Sequence, residues 1–180
     1  MKKTAVVLFA VLMMCILAFT ACTKETMGGH PVGKLEMSGK AIDYKFYYPD
    51  TWITDMNNGM VCIYAANDDP SNVSVTKFGL GTEFSNLDEY ISGLPHSFTS
   101  EWSAVFGETD FGTPEDITLG GVPAKKMVYE ATIGDITYRY MQVFALRNDS
   151  VYTLTYAART EVFDKHLSNV NGIVESFEFV

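Results

Sequence analysis

The chain has 180 residues, with 13 Lys and Arg against 22 Asp and Glu and a net charge of −9 at pH 7. That balance excludes a nucleic-acid partner, because binding a polyanion depends on Lys and Arg neutralising phosphates. Anionic lipid headgroups are poor partners for the same reason. The length suits one ordinary domain with enough residues for a real core.

The chain opens on Lys2 and Lys3, followed by an unbroken apolar run from Ala5 to Phe19 and then the small residues Thr20 and Ala21 before Cys22. A basic start, a short apolar stretch and a small-residue cleavage site are the parts of a secretory signal peptide. The run is shorter than the roughly 18 residues needed to cross a bilayer as a helix. An uncleaved membrane anchor is the alternative reading, and both leave the remainder outside the membrane.

Phe19-Thr20-Ala21-Cys22 resembles the lipobox of bacterial lipoprotein precursors, with Phe19 where that family usually has Leu. The resemblance implies cleavage before Cys22 and diacylation of its side chain. Cys15 is the competing cysteine, but Met14 before it is too large for the small-residue slot. Two acyl chains give stable anchoring where one binds reversibly. The expected organisation is a signal peptide over 1–21, a lipidated tether over 22–34 and a single domain over 35–180. The domain would sit on the extracytoplasmic face of the cell membrane, touching it through the lipid on Cys22. Loss of residues 1–21 removes two lysines and no acids, leaving a net charge of −11. Cys62 then has no partner, so an exported domain must be stable without an internal disulfide.

Along the domain, Ile42, Tyr44, Phe46 and Tyr48 alternate with Asp43, Lys45 and Tyr47, the period of a half-buried strand that Pro49-Asp50 ends. Asn58-Gly59 stands between the runs Trp52–Met56 and Met60–Ala65, the strongest two-residue hairpin signal. Val73–Phe78 reads as a further short strand. Leu87, Ile91, Leu94, Phe98, Trp102 and Val105 recur at helical spacing, and Asn86 with Glu89 forms a capping pair. Gly93 and Pro95 are expected to break or kink that helix. A meander follows, Glu115–Leu119, Ala124–Ile133, Ile136–Leu146 and Val151–Ala158, with turns at Gly120-Gly121, Gly134-Asp135 and Asn148-Asp149. Strands joined so tightly are antiparallel neighbours. A second helix is predicted from Glu161 to Glu175, with Thr160 as N-cap and Phe163, Leu167, Val170 and Val174 on one face. A last strand covers Phe177–Val180. The pattern is α+β, an antiparallel β-sheet with two helices packed on it.

The order β-β-β-α-β-β-β-β-α-β resembles that of the PsbP-like family, named for an extrinsic subunit of the photosystem II oxygen-evolving complex. Phe46-Tyr47-Tyr48-Pro49-Asp50-Thr51-Trp52 resembles its early aromatic-x-Tyr-Pro-x-x-Trp segment. Leu119-Gly120-Gly121-Val122-Pro123-Ala124 resembles its Gly-x-Pro-Ala turn, and Glu175-Ser176-Phe177-Glu178-Phe179 its closing Ser-Phe strand. These motifs describe turns and core rather than chemistry. The resemblance implies a non-enzymatic, membrane-associated binding or assembly module; no interaction residue of the photosynthetic role can be matched.

Candidate chemistry is sparse. Gly33–Lys40 has the wrong spacing for a phosphate loop and places Ala41 where Ser or Thr would hold magnesium. Gly79-Leu80-Gly81 lacks the third glycine of a dinucleotide loop, and Glu83 would repel a pyrophosphate. Cys62 lies in the apolar run Met60–Ala65 and reads as a buried structural thiol rather than a nucleophile served by His96 or His166. No Gly-x-Ser-x-Gly elbow occurs. His30, His96 and His166 stand apart from one another and from other ligands, which argues against zinc. Asn67 to Asn72 offers oxygen ligands, with Asp68 and Asp69 as the calcium candidates, against the plainer reading of a turn rich in Asn and Asp. No cofactor is expected. Tyr47 and Tyr48 are adjacent and must point to opposite faces of their strand. With Trp52, they are the candidates for a docking surface on a protein or cell-envelope partner. A carrier of a small apolar ligand between sheet and helices is the alternative, and an enzyme the third reading.

Overall fold

The computed structural model describes residues 33–57, 60–66, 68–82, 84–101 and 109–180. Cys22, His30, Asn58, Gly59, Asn67, Glu83, Trp102 and Val105, all singled out above, lie outside the described residues. The expected order of strands, helix, four strands, helix and strand is the observed one, except that five strands rather than three precede the first helix. They are β1 (Lys34–Met37), β2 (Tyr44–Pro49), β3 (Ile53–Asn57), β4 (Met60–Ala66) and β5 (Asp69–Gly79). Helix α1 (Leu87–Glu101) is followed by β6 (Glu115–Leu119), β7 (Val122–Ile133), β8 (Ile136–Arg147) and β9 (Ser150–Arg159). A 3-10 turn (Thr160–Val162) leads into α2 (Phe163–Glu175), and β10 (Glu178–Phe179) closes the chain.

The strands form two antiparallel sheets, one of three strands in the order β1-β2-β10 and one of seven in the order β3-β4-β5-β9-β8-β7-β6. The period-two pattern of β2 is realised residue by residue: Tyr44, Phe46 and Tyr48 point inward, while Lys45 and Tyr47 alternate outward. The β8–β9 turn places Asn148 and Asp149 at φ of 51° and 55°, the left-handed pair that matches the twist of a hairpin.

Helix α1 is capped as expected. The Glu89 N–H donates to Asn86 Oδ1 at 2.9 Å, and Glu89 Oε2 accepts the Ser85 N–H at 2.8 Å. Neither Gly93 nor Pro95 ends it. A Cβ at Gly93 would meet the Phe84 ring at 2.9 Å, so glycine is there for a close approach. Pro95 removes one helical hydrogen bond, and the helix continues past it to Glu101. Thr160 is not an N-cap: its hydroxyl donates to the Thr137 carbonyl at 3.3 Å, and α2 begins three residues later without a side-chain cap.

Two cores lie on opposite faces of the seven-stranded sheet. The larger joins β2, β4, β5, β8, β9 and α2 around Phe46, Val73, Val143, Leu154 and Tyr156. The smaller lies under α1 around Tyr90, Phe111, Tyr129, Tyr140 and Phe144. Cys62 is buried and forms no disulfide among the described residues, with its neighbours Val61 and Ile63 wholly inaccessible.

Candidate functional site

Two open clefts flank α2. The first, of about 530 Å³, is walled by Thr51 and Trp52, by Asp68 to Pro70 at the start of β5, and by Arg159, Lys165 and His166 around the entry to α2. The periodicity of α2 explains how a histidine comes to be there. Its inner face is Phe163, His166, Val170 and Ile173, with Leu167 and Val174 only partly buried beside it. His166 stands three residues after Phe163 and four before Val170, so the same spacing that marks the apolar face includes it.

Asp69 is the centre of this cleft. Its Oδ2 accepts from His166 Nε2 at 2.8 Å and from Lys165 Nζ at 3.0 Å, and its Oδ1 accepts the Ser71 N–H at 3.1 Å. Both members of the Asp69–His166 pair are about one-tenth exposed. Burial works to raise the Asp69 pKa, but hydrogen bonds from Ser71, His166 and Lys165 outweigh it and hold the carboxyl well below its ordinary 3.8. An ionised carboxylate only accepts, so the His166 Nε2 carries the hydrogen between them. The Trp52 ring meets His166 edge-on, with centroids 5.5 Å apart. Chemically the arrangement is a saturated clamp fastening α2 to the start of β5.

The sequence candidates scatter across this geometry. Asp68 is exposed. Asp69 has its oxygens filled by Lys165 and His166 and by an Asx turn to Ser71, the plainer of the two sequence readings. Among the described residues no group of three or more His, Cys, Asp or Glu could hold a metal ion. Trp52 is 4% exposed, contrary to its expected place at a docking surface. The turn before it closes as anticipated, Trp52 N–H donating to the Pro49 carbonyl at 3.0 Å, but the ring folds inward onto His166. Tyr48 is likewise in the core, on the inward phase of β2. Tyr47 takes the opposite phase and is half-buried, opposite Glu36 of β1, with its backbone N–H bonded to Ser176 Oγ at 3.0 Å. The adjacent tyrosines therefore do split between faces, and only Tyr47 reaches the surface.

The second cleft, of about 560 Å³, lies across α2 from the first. Ile117 of β6, Met141 and Val143 of β8, and Val174 and Phe177 form its apolar floor. Lys126, Glu175 and Glu178 stand at its rim. The Gly120-Gly121 turn closes one end, where a Cβ on Gly120 would meet the Phe179 ring at 2.8 Å. No sequence motif marked this groove as a whole, because its lining comes from five separate elements, β6, β7, β8, α2 and β10.

Among solved structures the chain is similar to CyanoP, the cyanobacterial PsbP of Synechocystis sp. PCC 6803. The TM-score is 0.63 at 16% identity, covering 90% of this chain and 99% of that one. It is also similar to LpqN of Mycobacterium tuberculosis, described as involved in cell envelope biogenesis. There the TM-score is 0.54 at 14% identity, over 85% of this chain and 87% of that one. At such identities the likeness is one of fold. No curated protein sequence matches the chain. The family model described as PsbP-like protein matches residues 32–179, and the chain belongs to that family.

Proposed function

We propose that this chain is a binding or assembly module, held on the extracytoplasmic face of the cell membrane by acyl chains on Cys22, that docks a protein or cell-envelope partner and performs no chemistry on it. The observation that carries this reading is the form of the two clefts: both are open grooves with polar rims. A carrier of an apolar ligand calls for an enclosed chamber. An acid–base catalyst calls for a group free to take a proton, whereas the Asp69 carboxylate is filled by three donors. LpqN, which shares the fold, is described as involved in cell envelope biogenesis. An acyl anchor would put this chain in the same setting.

The test has two parts. Mass spectrometry of membrane-extracted protein should show a modified Cys22 at the N-terminus, and Cys22→Ala should leave the membrane fraction. Cross-linking on intact cells should recover one recurrent envelope partner. A Cys22→Ala variant that is cleaved and still stays on membranes overturns the anchor. Cross-linking that yields no recurrent partner overturns the module.

A further inference from the structure

We propose that the free edge of β6, with the groove beside it, is a strand-addition site for an extended, Lys- or Arg-bearing segment of a partner protein; this rests on the binding-module reading and names its surface. Strand β6 ends the seven-stranded sheet, and among the described residues it pairs with β7 alone. The phase of that pairing can be worked out from the turn. Gly120 and Gly121 have φ of 57° and 78°, a two-residue hairpin turn, so the flanking pair Leu119–Val122 is hydrogen-bonded. Alternation then makes Thr118–Pro123 and Asp116–Lys125 the pairs without mutual hydrogen bonds. Pro123, which has no N–H, sits where none is required. Thr118 and Asp116 consequently aim their backbone N–H and C=O groups away from β7. Both residues are exposed. Such an edge is a template for another strand.

The chemistry of the occupant follows from what surrounds the edge. A strand laid on β6 places every second side chain on the groove side, next to Ile117 and over Val174 and Phe177. The carboxylates stand outermost there: the side chains of Glu115 and Glu178 are 61% and 63% exposed, while Asp116, 84% exposed, adds charge on the opposite face of β6, where Lys125 bridges it to Asp88 of α1. The lysines that pair with them, Lys126, Lys125 and Lys45, are drawn in to 30%, 23% and 34%. Glu175 adds a further carboxylate at the groove rim. An incoming segment therefore meets negative charge beside an apolar floor, which fits apolar residues alternating with cations. A second copy of the chain fits poorly, since pairing β6 with itself would crowd Glu115 and Asp116 of both copies onto one short ribbon.

The probe is a fluorescein-labelled, end-blocked nonapeptide of alternating Val and Lys, titrated with the full chain and read by anisotropy. Saturable binding is expected. Binding should weaken at least tenfold for Thr118→Pro, which removes an outward donor and leaves the β6–β7 bonds in place. The same loss is expected for the native chain when alternate residues of the peptide are N-methylated. Glu175→Lys should weaken it several-fold, and an alternating Val and Glu peptide should not bind. Absence of binding by the Val and Lys peptide overturns the proposal. So does equal binding of the N-methylated peptide, the behaviour of bare charge attraction. If Thr118→Pro does not fold, the N-methylated peptide decides alone. If the peptide fails while the cross-linked partner persists in cells, docking lies elsewhere on the module; if no partner is recovered at all, the module reading itself falls.

Discussion

On the face of the seven-stranded sheet that α2 covers, β9 contributes Tyr152, Leu154, Tyr156 and Ala158; on the face that α1 covers, it contributes Val151 and Ala157 and, between them, the hydroxyls of Thr153 and Thr155. The contrast extends across neighbouring strands. Val73 and Val75 of β5 point to the α2 side, and Asn72, Ser74 and Thr76 to the other. One register row on the α1 side reads Cys62, Ser74, Thr155, Gln142. There Tyr129 donates to Gln142 Oε1 at 2.9 Å, and Gln142 Nε2 donates to Thr155 Oγ1 at 3.1 Å. The α2 side is held chiefly by area, which is non-directional and scales with what is removed from water. Two directed fastenings to α2 act with it, Tyr156 donating to the Phe163 carbonyl at 2.8 Å and the Asp69 clamp. The α1 side is held partly by hydrogen bonds that form only in one register, since a slip of one residue would exchange the two faces. One set of strands thus supplies bulk stability on one side and specificity on the other.

The largest effects should fall on the area-driven side. Phe46 is wholly inaccessible and stacks near Tyr44 and Phe177, with centroids 6.2 Å and 6.0 Å away. Phe46→Ala should cost about 3–5 kcal/mol in denaturant unfolding, the range for emptying an aromatic site in a core. A smaller loss, about 1.5–3 kcal/mol, is expected for Asp69→Ala, which strips α2 of a buried charged acceptor. Its signature is the pH dependence. Because the folded Asp69 pKa is depressed, its contribution is whole at pH values above 3.8 and shrinks as the pH falls below that value. The native protein should therefore lose stability on acidification more steeply than Asp69→Ala, and equal slopes would show that the clamp contributes nothing.

Much of this comparison was legible in the sequence, and what was not had a physical reason. The meander from Glu115 to Ala158 could be read because each turn carries residues that accept positive φ and each strand keeps period two. The inward and outward split of Tyr47 and Tyr48 followed from the same period. Trp52 could not be placed that way: it follows a turn, where no periodicity constrains the side chain, and it is buried in the larger core with its ring against His166, 114 positions away by residue number. Pro95 did not end α1, which runs on to Glu101 with one backbone donor fewer. His166 was within reach, since it fits the apolar spacing of α2, but a polar residue on an apolar face is passed over unless its partner is known. Asp69 lies in a different element, and only the fold brings the two together. The second groove left no trace because no local pattern predicts which separate strands and helices will line one depression.

The smallest expected effects separate the two faces most sharply, because each removes a single hydroxyl oxygen. Tyr129 on the α1 side donates to Gln142 and belongs to the network that fixes the register. Tyr129→Phe leaves a buried amide oxygen without that donor and should cost about 1 kcal/mol or somewhat more. Tyr44 on the α2 side is buried to 2% exposure, and among the described residues its hydroxyl has no hydrogen-bond partner. Burial, with the charge of Asp43 adding to it, pushes that hydroxyl well above its ordinary pKa of 10.0, so it stays neutral. Removing an unpartnered buried hydroxyl recovers a desolvation cost and keeps the ring contacts with Phe46, Tyr152 and Phe177. Tyr44→Phe should accordingly leave stability unchanged or raise it by up to about 1 kcal/mol. Paired urea melts of the two variants decide the matter. Opposite signs mean that one face is held by direction and the other by area. An equal loss in both would mean that Tyr44 has a partner in solution and that the α2 face is as polar in its energetics as the α1 face.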